Sequence, residues 1–219
     1  MKNLVKIYSL LLLLIAMGAC DQVKSDYELP ILGRKEYVDK VVDGKTVKDT
    51  IYHTIAEFEF VNQDSSIVNN TTFANKVYVA DFFFTSCPTI CPVMKKQMLR
   101  VYEKYNDNPN FAILSHSIDP EHDTVALLND FAQRLGVTSD TWHFVTGDKD
   151  EIYDIGEKSY MVVANEDPNA PGGFIHSGAF ILVDQKGRIR GVYDGTVPEQ
   201  VDILINDIAR LTKKPDANT

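Results

Sequence analysis

Val77 to Pro92 reads VYVADFFFTSCPTICP, and the order in which its residue types change decides the fold. Val77 to Thr85 is an apolar and aromatic run bounded by polar residues, as a strand buried on both faces of a sheet requires. Beyond Pro92, Met94, Met98, Val101, Tyr102 and Tyr105 recur at helical spacing, and Phe111 to Ile118 (FAILSHSI) is a second apolar run. Strand, helix, strand predicts a parallel βαβ unit in which the loop Thr85 to Pro92 opens the helix. Met94 and Met98 share their face with Val101, Tyr102 and Tyr105, which predicts core packing rather than thioether ligation.

Working outward, Asp123-Thr124 can cap a second helix with Val125, Leu128, Phe131 and Leu135 on one face and Gly136 as its stop. A short strand follows at Trp142 to Val145, a helix at Asp148 to Lys158, and a strand at Tyr160 to Ala164. The polar stretch Asn165 to Gly173 reads as a loop or hairpin tip. Ala179 to Val183 and Arg188 to Tyr193 form a hairpin, and a final helix opens at Pro198 with Val201, Leu204, Ile205, Ile208 and Leu211 aligned. The expected class is α/β: a central mixed sheet flanked by helices, with a β-hairpin before the last helix, a layout that resembles the thioredoxin-like fold. The ordered domain is expected over residues 51–213, preceded by a polar tether (20–50) and followed by a short tail (214–219).

The first nineteen residues form a separate unit. Lys2 and Lys6 precede an apolar run, Leu10 to Met17, too short to cross about 30 Å of hydrocarbon. The run ends in Gly18-Ala19-Cys20, so residues 1–19 read as a secretory signal. Small residues directly before a cysteine resemble the lipobox of bacterial lipoproteins, which makes Cys20 the lipidation site. Export also permits thiol oxidation. The chain carries 22 basic and 31 acidic residues, a net charge of −9, which disfavours a surface built to neutralise phosphates. Nucleic acid is therefore not an expected partner.

Two cysteines remain, Cys87 and Cys91, in the loop that opens the first helix. Pro88 pushes Cys87 toward extended backbone, and Pro92 places the helix start near itself with Cys91 as its cap. Both sulfurs then lie near a helix amino terminus, whose partial positive charge favours thiolate. A stabilising disulfide in so small a loop would contribute only about 2 kcal/mol on the chain-entropy model. Reactivity or metal binding is the better use of the pair. Two thiolates do not satisfy tetrahedral zinc, and no second cysteine pair exists. Two soft thiolates with one imidazole suit copper, since Cu(I) accepts three-coordinate soft sites and Cu(II) can add an oxygen ligand.

Of the five histidines, His116 and His143 lie inside strand-like runs and read as satisfied core or surface residues. His122 sits among Asp119, Glu121 and Asp123 as an exposed partner of carboxylates, and His53 lies far from any other signal. His176, in Gly173-Phe174-Ile175-His176-Ser177-Gly178, precedes the last hairpin, where a loop can face the start of the first helix.

Taken together, these segments resemble the Sco/SenC family of copper chaperones. The likeness runs from about Thr54 to Leu211. It rests on Phe58-Glu59-Phe60 as an opening strand, FFFTSCPTICP with its CP-x-x-CP loop, SIDPEHDT (Ser117 to Thr124), FIHSGAFILVDQKG (Phe174 to Gly187) and GVYDG (Gly191 to Gly195). The resemblance implies that Cys87, Cys91 and His176 bind one copper ion, Cu(I) or Cu(II). It implies a lipid-anchored protein of the bacterial cell envelope that faces the periplasm. Its expected partner is cytochrome c oxidase subunit II, or another copper or thiol client, to which it delivers copper or whose thiols it maintains. Two features stand apart. Ile175 occupies a position where the family often has an acidic residue, which would tune or orient the ligand histidine. Asp81, a carboxylate within the first apolar strand, has the spacing of the buried aspartate of thioredoxins and is a candidate proton acceptor for the thiols. A nearby lysine or a sheet edge is its structural alternative. The competing function is an extracytoplasmic thiol-disulfide oxidoreductase, with Cys87 and Cys91 catalytic and Asp81 assisting.

Overall fold

The computed structural model describes residues 28–213. The expected leader, Cys20 and the tail 214–219 lie outside the described residues. Along the chain come β1 (Lys35–Val42), β2 (Lys45–Tyr52), β3 (Glu59–Asn62), β4 (Ile67–Asn69), β5 (Val77–Phe83), α1 (Cys91–Tyr105), β6 (Phe111–Ser117), α2 (Val125–Arg134) and β7 (Trp142–Thr146). The second half holds α3 (Lys149–Asp154), which continues as π-helical turns over Ile155–Tyr160, then β8 (Ala164–Glu166), β9 (Phe174–His176), β10 (Ala179–Val183), β11 (Ile189–Asp194) and α4 (Pro198–Thr212).

Seven strands form one mixed sheet in the order β11-β10-β5-β6-β7-β3-β4. The pairs β5–β6 and β6–β7 are parallel, and the remaining neighbours are antiparallel. All seven residues of β5 and all seven of β6 are buried, as the two apolar runs require. Alternate residues of β5 serve opposite faces. Phe83 meets Phe131 of α2 and the ammonium of Lys95 on α1, whereas Phe82 stacks on His116 and meets Tyr160. Met94, Met98 and Val101 of α1 are fully buried, the core role their spacing predicts. Each such side chain contributes about 1.5–3 kcal/mol through burial.

Three segments depart from the sequence expectation. Residues 20–50 were expected as tether, yet Lys35–Val42 and Lys45–Tyr52 pair as an antiparallel hairpin turned by Asp43-Gly44, both at positive φ. Every residue of β1 is exposed, so no buried run marks it in the sequence. The ordered body also begins before Ile51: Leu29 is buried, and Arg190 Nε donates to the Pro30 carbonyl at 2.9 Å. The stretch expected as a strand at Tyr160 to Ala164 is instead the end of the π turns, where buried Tyr160 packs on Phe82, and the strand itself is Ala164–Glu166. It pairs with β9 around the loop read from the sequence as a hairpin tip. Among the described residues no helix is long and apolar enough to cross a membrane.

Candidate metal centre

Strand β5 delivers the cysteine loop and α1 receives it. Cys87 N–H donates to the Phe84 carbonyl at 3.3 Å, turning the chain sharply out of the sheet. The helix starts at Cys91 itself, with Ile90 at the cap position and no side-chain cap, so Cys91 is the first helical residue rather than the cap. Pro92 sits in the first turn, where its missing N–H costs no helical bond. Both cysteines are buried thiols.

Their environments differ. Burial pushes the Cys87 thiol up, but the Cys91 thiol donates to its sulfur and the backbone N–H groups of Thr89 and Cys91 add to this, holding Cys87 below the ordinary thiol range. The Thr89 hydroxyl lies 3.7 Å from the same sulfur. Cys91 is driven well above that range by burial and by its bond to Cys87, with the Phe84 N–H and the Lys95 charge pulling the other way. The loop therefore presents one thiol poised to ionise and one that holds its proton.

Asp123 anchors the loop. It is fully buried, accepts from the Thr85 N–H at 3.0 Å and from the Thr85 hydroxyl, and accepts from the Ser117 hydroxyl at 2.6 Å. The sequence marks it only as a residue beside a helix cap. Its partner Thr85 lies 38 residues away, a separation no local pattern reports.

Asp81, in the middle of β5, is fully buried, but it is not unpaired. Lys95 Nζ donates to it at 2.7 Å and the Ser115 hydroxyl donates to its other oxygen. Lys95 also reaches Ser115 at 3.1 Å, and the Trp142 indole N–H donates to the same hydroxyl at 2.9 Å. The lysine alternative is the one realised. The signal for it was present, since Lys95 stands one helical turn beyond Cys91 on the face that Cys91 shares with the core.

The β8–β9 hairpin crosses the cysteine loop. Gly172, at φ +82°, lies so close that a Cβ there would stand 2.9 Å from the Phe84 ring and 3.1 Å from Pro88. Phe174 packs on Phe84 with ring centres 5.0 Å apart, and a Cβ on Gly178 would stand 3.8 Å from Ile90. His176 lies between these contacts, paired through its backbone with Ala164. Its side chain is outside the described residues. Among the described residues no three His, Cys, Asp or Glu side chains form a metal-holding cluster.

The other histidines sit elsewhere. His122 is exposed, and His53 Nε2 lies 2.7 Å from the Ser159 carbonyl. His143 is buried with Nδ1 3.3 Å from Asn62 Nδ2. His116 is fully buried, but it is not satisfied as expected: neither ring nitrogen meets hydrogen-bond geometry, and the ring is instead boxed by Phe58, Phe60, Phe82 and Tyr160. A cleft of about 690 Å³, lined by Phe58, Asn70, Glu151, Asp154 and Lys158 among others, shares no residue with the cysteine loop.

The SCO1/SenC family model matches residues 47–213. A SCO1 protein homolog of Bacillus subtilis (strain 168) is 33% identical over 167 residues, which span 75% of this chain and 86% of the relative. Among solved structures, a SCO1/SenC family lipoprotein from Bacillus anthracis str. Ames superposes with a TM-score of 0.68 at 28% identity, covering 74% of this chain and 96% of that one. BsSco, described as a member of the Sco family of cytochrome c oxidase assembly proteins with a disulfide switch, gives a TM-score of 0.65 at 32% identity over 74% of this chain and 95% of its own. The sheet order, the cysteine loop at a helix start and the hairpin laid across it are thus a thioredoxin-like fold in its Sco form, and the chain belongs to the SCO1/SenC family.

Proposed function

We propose that this protein is a lipid-anchored copper carrier of the bacterial envelope, facing the periplasm, in which Cys87, Cys91 and His176 hold one copper ion as cargo for cytochrome c oxidase subunit II. The observation that carries the proposal is the placement of β9 across the cysteine loop, between the contacts of Gly172 with Pro88 and of Gly178 with Ile90. Two buried thiols and an imidazole are a soft donor set that fits copper better than zinc or a hard cation. Asp123 and the Phe84–Phe174 contact orient the two sides of the site, while Ile175 leaves the histidine without the acidic neighbour common in the family. Cys20 supplies the anchor.

A second reading is favoured by the unequal thiols. Cys87 as thiolate attacks a client disulfide, forming a mixed disulfide and expelling one client thiolate. Cys91 then loses its proton and displaces the second client sulfur, leaving a Cys87–Cys91 disulfide and a reduced client. In this reading Asp81 acts through Lys95, whose charge favours the Cys91 thiolate, rather than by touching a sulfur.

Mixing the copper-loaded chain with the metal-free soluble domain of subunit II separates the readings. Delivery predicts that copper moves to the client while the carrier's thiols stay reduced. Copper retained by the carrier, together with reduction of an oxidised client by the metal-free chain, would reject delivery in favour of the redox reading.

A further inference from the structure

The β1–β2 hairpin stands off the domain with no role in the cysteine site. Its register places Tyr37 and Val41 on one face and Val38, Val42, Val47 and Ile51 on the other, all exposed, with Tyr37 and Val41 each 71% accessible. An isolated two-stranded ribbon is marginal in water, and exposed apolar clusters of this kind mark contact surfaces. Its charges cancel: Lys35, Lys40, Lys45 and Lys48 balance Glu36, Asp39, Asp43 and Asp49, with cross-strand pairs Lys48–Asp39 at 2.7 Å and Lys40–Asp49 at 3.5 Å. In a chain of net charge −9, this neutral ribbon is a segment that an anionic surface does not repel.

Its base fixes which way it faces. Leu32 N–H donates to the Ile189 carbonyl at 2.8 Å, Ile55 N–H to the Gly187 carbonyl at 2.9 Å, and the Arg188 guanidinium lies 6.0 Å from the Tyr52 ring centre. These residues follow the end of β10, where Val183 pairs with Tyr78 at the start of β5. The cysteine loop leaves the other end of β5, seven residues on, about 20 Å away. The hairpin and the amino-terminal segment therefore leave the pole opposite the cysteines. Nine residue steps separate Cys20 from the docked Leu29, a reach of at most about 30 Å. The eight-residue strands of the hairpin are about 26 Å long. Anchor and hairpin thus have matching reach from one pole.

We infer that the β1–β2 hairpin is a membrane foot: it rests the face that carries Tyr37 and Val41 on the lipid surface that holds the Cys20 anchor and turns the cysteine loop away from that surface. Tyrosine and lysine suit the headgroup layer, where an aromatic ring with a polar tip and an ammonium on an apolar stem are both accommodated. The inference rests on the reading of Cys20 as the lipidation site.

The test uses the full, acylated chain in vesicles of phosphatidylethanolamine and phosphatidylglycerol, with Val41→Trp as reporter and Ile203→Trp on exposed α4 as control. Incorporating brominated phospholipids should quench the indole introduced at position 41 at least about twofold, and leave Ile203→Trp and the buried native Trp142 unchanged. If the acylated chain floats with vesicles, Cys20→Ser does not, and Val41→Trp stays unquenched, the foot is refuted while the anchor stands. A chain that does not float refutes both. Emission from Val41→Trp that shifts with protein concentration in the absence of lipid would assign the ribbon to a second copy and overturn the membrane foot.

Discussion

Cys87 is the more acidic thiol of the pair, because its sulfur accepts from Cys91 and two backbone N–H groups while burial and the same bond push Cys91 up. Limited alkylation of the reduced, metal-free protein at pH 7 should therefore label Cys87 faster than Cys91 by about fivefold or more, read by peptide mapping. Equal labelling would contradict the asymmetry. A second titration belongs to His116, which burial holds at about 4 against an ordinary 6.5, with Asp81 pulling the other way and the Lys95 charge opposing it. The unfolded chain gains this proton as pH falls through 6.5, and the folded chain does not until about 4. The neutral ring's contribution is complete above 6.5 and is lost progressively down to 4, about 3 kcal/mol in all. His116→Phe removes it, so urea midpoints of variant and parent should diverge in the variant's favour between pH 7 and 4.5. Parallel profiles would show that the ring titrates normally. The aromatic box around His116 was illegible in the sequence, since its walls come from β3, β5, the π turns and the residue before β3.

Strand β5 and helix α1 are fastened by the buried Asp81–Lys95 pair, whose lysine stands one helical turn beyond Cys91. Two charges this deeply buried are held for their mutual pairing, and removing one leaves the other stranded at about 3–5 kcal/mol. Asp81→Asn should be destabilised by that order in urea unfolding, and Asp81→Leu combined with Lys95→Met should recover most of it. An Asp81→Asn protein as stable as the parent would mean that the carboxylate carries no paired charge, which is what a lone buried acid predicts. At this scale the sequence was most informative where burial follows a local pattern of apolar residues. The apolar runs of β5 and β6, the stripe of α1 and the helix opening at Pro198 stand where periodicity places them. It was least informative where long-range polar bonds decide. The anchoring of Thr85 by Asp123 and the clasp of Asp81 by Lys95 and Ser115 join segments 14 to 38 residues apart. Residue spacing alone does not encode such contacts, and the π turns that replace a strand near Tyr160 answer to packing against Phe82.

The molecule as a whole has two poles, set by the direction of β5: the cysteine loop at one end, the hairpin base and the amino-terminal segment at the other. The active pole was legible, because a CP-x-x-CP loop between a buried strand and a helix, with a glycine-flanked histidine before the last hairpin, names its own elements. The opposite pole was not, because an exposed ribbon has neither a buried run nor a strong alternation to announce it. The central claim is that the active pole binds a single copper through Cys87, Cys91 and His176. Its most direct measurement is copper stoichiometry by equilibrium dialysis of the reduced protein against Cu(I) under a competing chelator, for the parent, Cys87→Ser with Cys91→Ser, and His176→Ala. The account predicts one copper per chain in the parent, none in the double cysteine variant and weakened binding in His176→Ala. Full loading of the double cysteine variant, or His176→Ala binding indistinguishable from the parent, would contradict it.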